Sequence, residues 1–383
     1  MFLAIHLAEG YVSDAADAQT DEPEEKSFNG VAPAIPESDE AQVDYHDGVV
    51  KGNGDDPDGA IVDFTAAIAL NPDYAEAFFQ RGLVKERDKK DLTGALADVN
   101  QAIQLESDYA AAYFVRGLVY YHQSNVVDAI LDWDKTIALK SNFAMAYYNR
   151  GIAYRDQSNS PAALSDLNTA IMIKPDYAPA YQCRGDVKYD EGDFDGALAD
   201  FNIAKKINPG MAVVYFSLGN VKHVKGDLVG AKLDYNACIA LDPYNTDAYR
   251  HRGSLKWEQG DFTGCIADIN KSLTFNPNDA DAYYIRGIAE ASQKDNAAAL
   301  ADFNKAIELN PRFCEAYNNR GMSEWVNKDN IAALADFSKS IALNPKIARV
   351  FFNRAGVEQD LGATNSAMND IARGNALKMH PQN

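Results

Sequence analysis

The sequence contains few residues of the kinds that carry out catalysis or bind metals. It has 4 cysteines and 6 histidines in 383 residues, and the cysteines form no C-x-x-C pair. The histidines lack the H-E-x-x-H or i, i+4 spacing of a metal site, and P-loop and G-x-S-x-G motifs are missing. We therefore expect no disulfide framework, no metal, no cofactor and no enzyme activity. We interpret the cysteines as buried thiols and the histidines as scattered surface or groove residues.

Long apolar runs and positive charges are also scarce. No apolar run approaches the roughly 18 residues of a membrane-spanning helix, so we expect no membrane span. Lys and Arg number 36 against 56 Asp and Glu, which gives a net charge of -20. This charge would repel nucleic-acid phosphates and anionic lipid surfaces, whereas a basic protein partner would fit it better. With 46% apolar and 24% charged residues, the chain can still bury a large core.

Acidic residues are concentrated at the beginning of the sequence. Residues 1–40 contain ten acidic side chains and one lysine, so we expect a disordered leader there. Residues 1–20 are a weak signal-peptide candidate, because "MFLAIHLAEG" has no basic residue before its short apolar run. We therefore expect a cytoplasmic location, with export through this weak signal as the alternative.

The rest of the chain repeats with a period of 34 residues. The period is marked by a glycine, replaced by alanine at the tenth place: Gly48, Gly82, Gly117, Gly151, Gly185, Gly219, Gly253, Gly287, Gly321 and Ala355. One step is 35 residues, and its extra residue lies in "KERDKKDLTGA", a turn-like segment where insertions are tolerated. Repeats of this length indicate stacked supersecondary units.

Each unit has the pattern of two amphipathic helices. An aromatic residue usually stands four positions before the glycine, on the same helical face, and a small residue usually follows the glycine by twelve positions. An Asp or Asn precedes the second helix and can cap it: Asp56, Asp91, Asn125, Asn159, Asp193, Asp227, Asp261, Asp295 and Asp329. In seven units a proline follows the second helix and prevents its continuation.

These residues resemble the tetratricopeptide repeat, a 34-residue helix-turn-helix unit. The resemblance covers residues 41–381 in ten units. It implies an all-α fold, an α-solenoid forming a right-handed superhelix, in which the first helices of the units line a concave face that holds peptides or proteins. The first unit departs from the family pattern, with Asp44 in place of the aromatic residue, and the tenth unit has a polar second helix, as a terminal unit should.

An arginine precedes most of the glycines, at a position where the family has an apolar residue. An inward-facing arginine needs a partner, and an aspartate recurs in every second helix. We predict an ion-pair ladder of two residue sets, Arg81, Arg116, Arg150, Arg184, Arg252, Arg286, Arg320 and Arg354 with Asp63, Asp98, Asp132, Asp166, Asp234, Asp268, Asp302 and Asp336. Pairing each aspartate with the arginine of the next unit is favoured, because pairing within a unit would place Asp47 against Asp63. Capture of an anion by the arginines is the alternative.

By analogy with the family, positions three before and four after the glycine face the groove. With the neighbouring asparagines, the predicted partner-binding residues are Phe79, Phe114, Tyr121, Tyr148, Asn149, Tyr189, Phe216, Trp257, Tyr284, Asn319, Trp325 and Phe352. Exposed aromatic residues are typical binding anchors. Packing against the neighbouring repeat is the open alternative for each of them, since helical spacing cannot separate core from groove. Family members that grip C-terminal carboxylates also use lysines beside the asparagines, and these are missing here.

The sequence therefore predicts a non-catalytic scaffold that binds a protein or peptide partner in an aromatic-lined concave groove. A self-assembling or enzyme-docking regulatory adaptor, with a homo-oligomer formed through the repeat ends, is the alternative. RNA binding by a helical repeat is a third possibility, which the negative charge opposes.

Overall fold

The computed structural model describes residues 37–379, and these residues form twenty α-helices, one short π-helix and no strand. The signal-peptide candidate, the rest of residues 1–36 of the predicted leader, and His380 lie outside the described residues. In chain order the first ten helices are α1 (Glu37–Asn53), α2 (Pro57–Leu70), α3 (Ala75–Val84), α4 (Leu92–Leu105), α5 (Ala110–His122), α6 (Val126–Leu139), α7 (Ala144–Asp156), α8 (Ser160–Ile173), α9 (Ala178–Asp190) and α10 (Phe194–Ile207).

The second ten are α11 (Ala212–Val224), α12 (Leu228–Leu241), α13 (Thr246–Glu258), α14 (Phe262–Phe275), α15 (Ala280–Ser292), α16 (Asn296–Leu309), α17 (Cys314–Val326), α18 (Asn330–Leu343), α19 (Ala348–Asp360) and α20 (Thr364–Met379). Pair 1 is α1 and α2, pair 2 is α3 and α4, and so on to pair 10. The odd-numbered helices are the first helices of the pairs.

The chain divides after Val187, within α9, into two compact blocks. Within each block, an odd-numbered helix packs on the even-numbered helix that follows it, and that helix also contacts the next odd-numbered one. This consecutive packing is that of an all-α solenoid. In the N-terminal block, one apolar cluster runs from Phe79 to Val187, whereas the C-terminal block includes smaller clusters around Tyr235, Ile269 and Phe337.

Side-chain caps begin the even-numbered helices, as predicted. In α2 to α18, the Asp or Asn before the helix accepts a hydrogen bond from the backbone N–H three residues later, for example Asp261 from Gly264 at 2.8 Å. Such a cap contributes about 1 kcal/mol. The helix ends do not require proline, because Glu106 and Lys140 adopt the same extended conformation where no proline follows.

Close packing within a pair depends on the periodic glycine. A Cβ atom on Gly117 would lie 2.6 Å from Nε1 of Trp133, a fully buried residue of α6. The alanine that follows by twelve residues, Ala129 in this pair, is also fully buried. A larger residue at either position would separate the two helices and open the interface.

The extra residue of the 35-residue step is accommodated in a helix rather than in a turn. A π-helix, Lys85–Lys89, extends α3, and Lys90 follows with a left-handed φ of 54°. The expectation that the turn absorbs the insertion is therefore wrong. A single added residue widens one helical turn to i, i+5 hydrogen bonding at little cost to the packing before it.

The last helix covers the end of the described chain. With 16 residues, α20 is longer than the other even-numbered helices, and its Gly374 lies against the ring of Phe352. The ammonium group of Lys378 lies 4.5 Å from the centre of that ring. Phe352, predicted to line the groove, is thus covered by its own helix pair.

Candidate functional site

Arginine and aspartate form bidentate ion pairs within helix pairs. Arg116 donates from Nε and Nη2 to the two carboxylate oxygens of Asp132, both at 2.7 Å. The same geometry occurs in Arg81–Asp98, Arg150–Asp166, Arg252–Asp268, Arg286–Asp302, Arg320–Asp336 and Arg354–Asp370. The prediction that each aspartate pairs with the next unit's arginine is wrong. The packing at the periodic glycine brings the two residues of one pair together.

The third guanidinium nitrogen provides the link between pairs. Nη1 of Arg116 donates to Asn100 of the preceding even-numbered helix at 2.9 Å, and Arg286 reaches Asn270 in the same way at 2.5 Å. The acceptor stands two residues after the aspartate of its own helix. The recurring D-x-N sequence could therefore have predicted this hydrogen bond between pairs. Because each guanidinium also stacks on the aromatic ring three residues earlier, as Arg116 does on Tyr113 at 5.2 Å, these arginines hold the solenoid together.

The exceptions in the ladder are compensated by lysines. Asp63, which would face Asp47, instead forms an ion pair with Lys51 at 2.6 Å. Asp234, opposite Leu218, accepts from Lys222 at 2.5 Å. Both lysines stand four residues after the arginine position. The like-charge argument against pairing within a unit did not take account of a lysine at this position.

Three aromatic residues predicted for the groove are core residues. Phe79, Phe114 and Tyr148 are 7%, 4% and 2% exposed. Their rings contact aromatic residues just before the next odd-numbered helix, Tyr109 at 4.9 Å, Phe143 at 5.0 Å and Tyr177 at 5.1 Å between centroids. Of the two open interpretations, packing against the neighbouring repeat therefore holds for these three. Tyr284 makes the same contact with Phe313 at 4.8 Å but is only partly buried.

Several residues four positions after the glycine are half-buried and contact the next pair. Trp325 donates from its indole N–H to Asp360 at 2.7 Å, Trp257 donates to Ser292 at 3.3 Å, and the hydroxyl of Tyr121 donates to Asp156. His223 contacts Glu258 at the same register at 2.9 Å. Tyr189 is also half-buried, and its ring lies 5.4 Å from that of Phe194. We name the positions four and five residues after each glycine the odd-helix line. Its acceptors Asp156, Ser292 and Asp360 were not predicted.

The asparagines predicted to bind a partner are engaged within the protein. Buried Asn149 donates to the backbone carbonyl of Met145 at 2.8 Å, and Asn319 donates to the hydroxyl of Tyr284 at 2.9 Å. Half-buried Phe216 contacts the ring of His251 at 5.0 Å. The contacts of Asn319 and Phe216 join neighbouring odd-numbered helices, whereas that of Asn149 lies within α7. They give no support to a carboxylate clamp.

The titratable groups of the described residues show no arrangement for metal binding. No group of three His, Cys, Asp or Glu side chains is positioned for it within residues 37–379. Burial raises the pKa values of Cys238 and Cys265 to about 12, so these thiols stay protonated. Cys314 is only partly buried, contrary to the expectation for all four cysteines.

His251 also departs from the expectation of scattered surface or groove histidines. Burial, followed by the charge of Arg250, lowers its pKa to about 4.

Among the helices within residues 37–379, none is long and apolar enough to traverse a bilayer.

Comparisons with known proteins agree with this architecture. Models of the tetratricopeptide repeat match residues 86–138 and 280–313. A search of curated proteins gives no match. Among solved structures, the APC/C hetero-tetramer Cut9-Hcn1 is 14% identical, with a TM-score of 0.54 over 90% of this chain and 74% of that one. A tetratricopeptide repeat protein from Parabacteroides merdae is 21% identical, with a TM-score of 0.51 over 65% and 98% of the two chains.

A third structure, pilF of Pseudomonas aeruginosa, is 16% identical, with a TM-score of 0.50 over 54% of this chain and 94% of that one. At these identities the likeness concerns the fold alone. The fold, the helix pairs with their 34-residue period and the two matching models lead to one conclusion. The chain is a tetratricopeptide repeat protein with an all-α solenoid fold.

Proposed function

We propose that this protein is a non-catalytic scaffold that binds a protein or peptide along the odd-helix line, and that residues 41–381 form ten repeats devoted to it. The observation that supports the proposal is a set of half-buried aromatic side chains at one register of several odd-numbered helices, such as Trp257 in α13 and Trp325 in α17. Partly exposed aromatic rings beside polar groups make good anchors for a partner. We keep a cytoplasmic location as a prediction.

The chemistry of the line favours a basic partner. Carboxylates of Asp156, Glu258 and Asp360 occur on it, and each accepts from, or contacts, one aromatic ring of the preceding pair. Carboxylates beside aromatic rings attract lysine and arginine side chains through charge and cation–π interactions. The net charge of -20 would also accelerate the approach of a basic protein.

Site-specific photo-crosslinking in the native cell tests this proposal. Ala291 and Gln359 occupy the same register as the two tryptophans, so each can be replaced by p-benzoylphenylalanine without removing an anchor. Val229 and Leu233, exposed on α12, are the matched outer positions. We expect a basic protein to crosslink from Ala291 and Gln359, and the crosslink to weaken when Trp257 and Trp325 are changed to Ala.

Other outcomes identify the rival functions. Crosslinks that form only from Val229 or Leu233 would overturn the proposed binding face. A crosslink to a second copy of this chain would favour the self-assembling adaptor over the scaffold.

A further inference from the structure

One position of the odd-numbered helices divides the repeats by charge. Four residues after the arginine position, five pairs have a lysine, pairs 3 and 4 have a tyrosine, and pairs 8, 9 and 10 have a glutamate: Lys51, Lys85, Tyr120, Tyr154, Lys188, Lys222, Lys256, Glu290, Glu324 and Glu358. Each lysine forms an ion pair with the aspartate of its even-numbered helix. In pair 7, for example, Lys256 lies 2.8 Å from Asp268.

In pairs 8, 9 and 10 the glutamate at this position places a second carboxyl group beside the aspartate of the even-numbered helix. Arg286 donates to Asp302 at 2.6 Å, and its Nε lies 3.9 Å from Oε1 of Glu290, beyond hydrogen-bond distance. The other oxygen of Glu290, Oε2, is buried and has no hydrogen-bond partner within the described residues. Glu324 repeats this arrangement beside Arg320–Asp336. In pair 10, which contains Arg354–Asp370, Oε2 of Glu358 is likewise buried without a hydrogen-bond partner within the described residues.

An ionised glutamate would be unstable at this position. The charges that act most strongly on Glu290 are Arg286 on its own helix and Asp302 and Asp295 on α16 or at its cap; the other helices that contact α15 supply none of them. The guanidinium of Arg286 already donates two hydrogen bonds to Asp302. Burial, followed by repulsion from the aspartate, raises the pKa values of Glu290 and Glu324 to about 7, and burial also raises that of Glu358.

We propose that Glu290, Glu324 and Glu358 each hold a proton and donate it as a hydrogen bond to the neighbouring aspartate, so that pairs 8–10 form an acid-stabilised section of the solenoid. The proton is taken from solvent and stays on the glutamate, while the aspartate remains ionised and paired with its arginine. The three glutamates thereby satisfy the oxygen that has no partner when they are ionised. The protonation of these glutamates is separate from the binding of a partner, and it makes the stability of pairs 8–10 depend on pH.

The pH window follows from the direction of the shifts. The folded state holds these protons more tightly than the unfolded chain, in which a glutamate has a pKa of 4.5. The stabilisation is therefore complete below pH 4.5 and is lost as the pH rises through about 7. Pairs 5, 6 and 7 contain Lys188, Lys222 and Lys256 instead and do not gain this stabilisation.

Hydrogen exchange followed by mass spectrometry on the full chain tests the proposal. For residues 280–379 we expect protection, corrected for the intrinsic effect of pH, to fall about tenfold between pH 6 and pH 8. This is the loss that one glutamate with a folded-state pKa of about 7 produces over this range. A triple variant with Glu290→Gln, Glu324→Gln and Glu358→Gln imitates the protonated carboxyls and should keep its protection at pH 8. The matched control is Lys188→Gln, Lys222→Gln and Lys256→Gln, which should keep the pH response of residues 280–379.

A pH response of residues 280–379 that persists in the triple glutamine variant would overturn the proposal, as would equal protection of the unmodified chain at pH 6 and pH 8. A second measurement does not depend on the folding of any variant. In a titration of the unmodified chain with ¹³C-labelled glutamate carboxyls, we expect the resonances of Glu290 and Glu324 to titrate near pH 7 and that of Glu358 to be shifted upward. The absence of these shifts would contradict the proposal independently.

Discussion

The odd-numbered helices of pairs 2–4 and those of pairs 7 and 9 differ in the aromatic residues they carry three positions before the glycine. In pairs 2–4 the aromatics three before the glycine, Phe79, Phe114 and Tyr148, are buried and contact the next helix. In pairs 7 and 9 that register holds Arg250 and Asn318, and tryptophans appear four residues after the glycine.

The consequence is a different distribution of apolar contacts on the same backbone plan. The aromatic stacks of pairs 2–4 belong to one cluster that runs from Phe79 to Val187. In pairs 7–9 polar contacts such as Asn319 with Tyr284 join neighbouring odd-numbered helices, and Trp257 and Trp325 keep part of their rings in solvent. An aromatic residue seven positions further along the helix is thus half-buried rather than part of the core.

The largest expected effect comes from removing a stacked aromatic residue. Changing Phe114 to Ala leaves a cavity beside Phe143 and should cost about 3–5 kcal/mol of local stability. Changing Trp257 to Ala should cost less than half as much, because its indole is only half-buried and its N–H bonds a hydroxyl. Hydrogen exchange of residues 110–122 and 246–258 measures both losses, and equal losses would remove the distinction between the two registers.

The next effect concerns the ion pairs, which both regions share. Changing Arg286 or Asp302 singly to Leu leaves a buried charge without its partner and should cost about 3 kcal/mol. Changing both should cost much less than the sum of the two. Arg286→Leu with Asp268→Leu is the matched control from neighbouring pairs, and its costs should add. A double-mutant cycle by urea denaturation measures the coupling, and coupling in the control alone would contradict the assignment within a pair.

The comparison also shows which features can be read from this sequence. The 34-residue glycine period and the Asp or Asn before each even-numbered helix are local signals, so the helix pairs and their caps could be predicted. The partner of Arg286 could not, because Asp268 and Asp302 stand at similar separations, and contact at the glycine decides between them. The burial of Phe114 depends on Phe143, which lies beyond the reach of helical periodicity.

The smallest of these effects sets pair 7 against the acid-stabilised pairs 8–10. His251 packs against the rings of Phe216 and Tyr235, and burial lowers its pKa to about 4 from 6.5. Because the folded state favours the neutral imidazole, its contribution is present above pH 6.5 and is lost as the pH falls toward 4. The loss should reach about 2 kcal/mol.

Hydrogen exchange between pH 7 and pH 5 should therefore show residues 246–258 losing protection while residues 280–379 gain it. In His251→Phe, a ring of similar size has no charge to acquire, so residues 246–258 should keep their protection at pH 5. An unchanged acid loss in that variant would show that the sensitivity does not come from His251. Opposite responses to acid in adjoining repeats would mean that individual titratable residues, rather than the backbone plan, set how the stability of each section depends on pH.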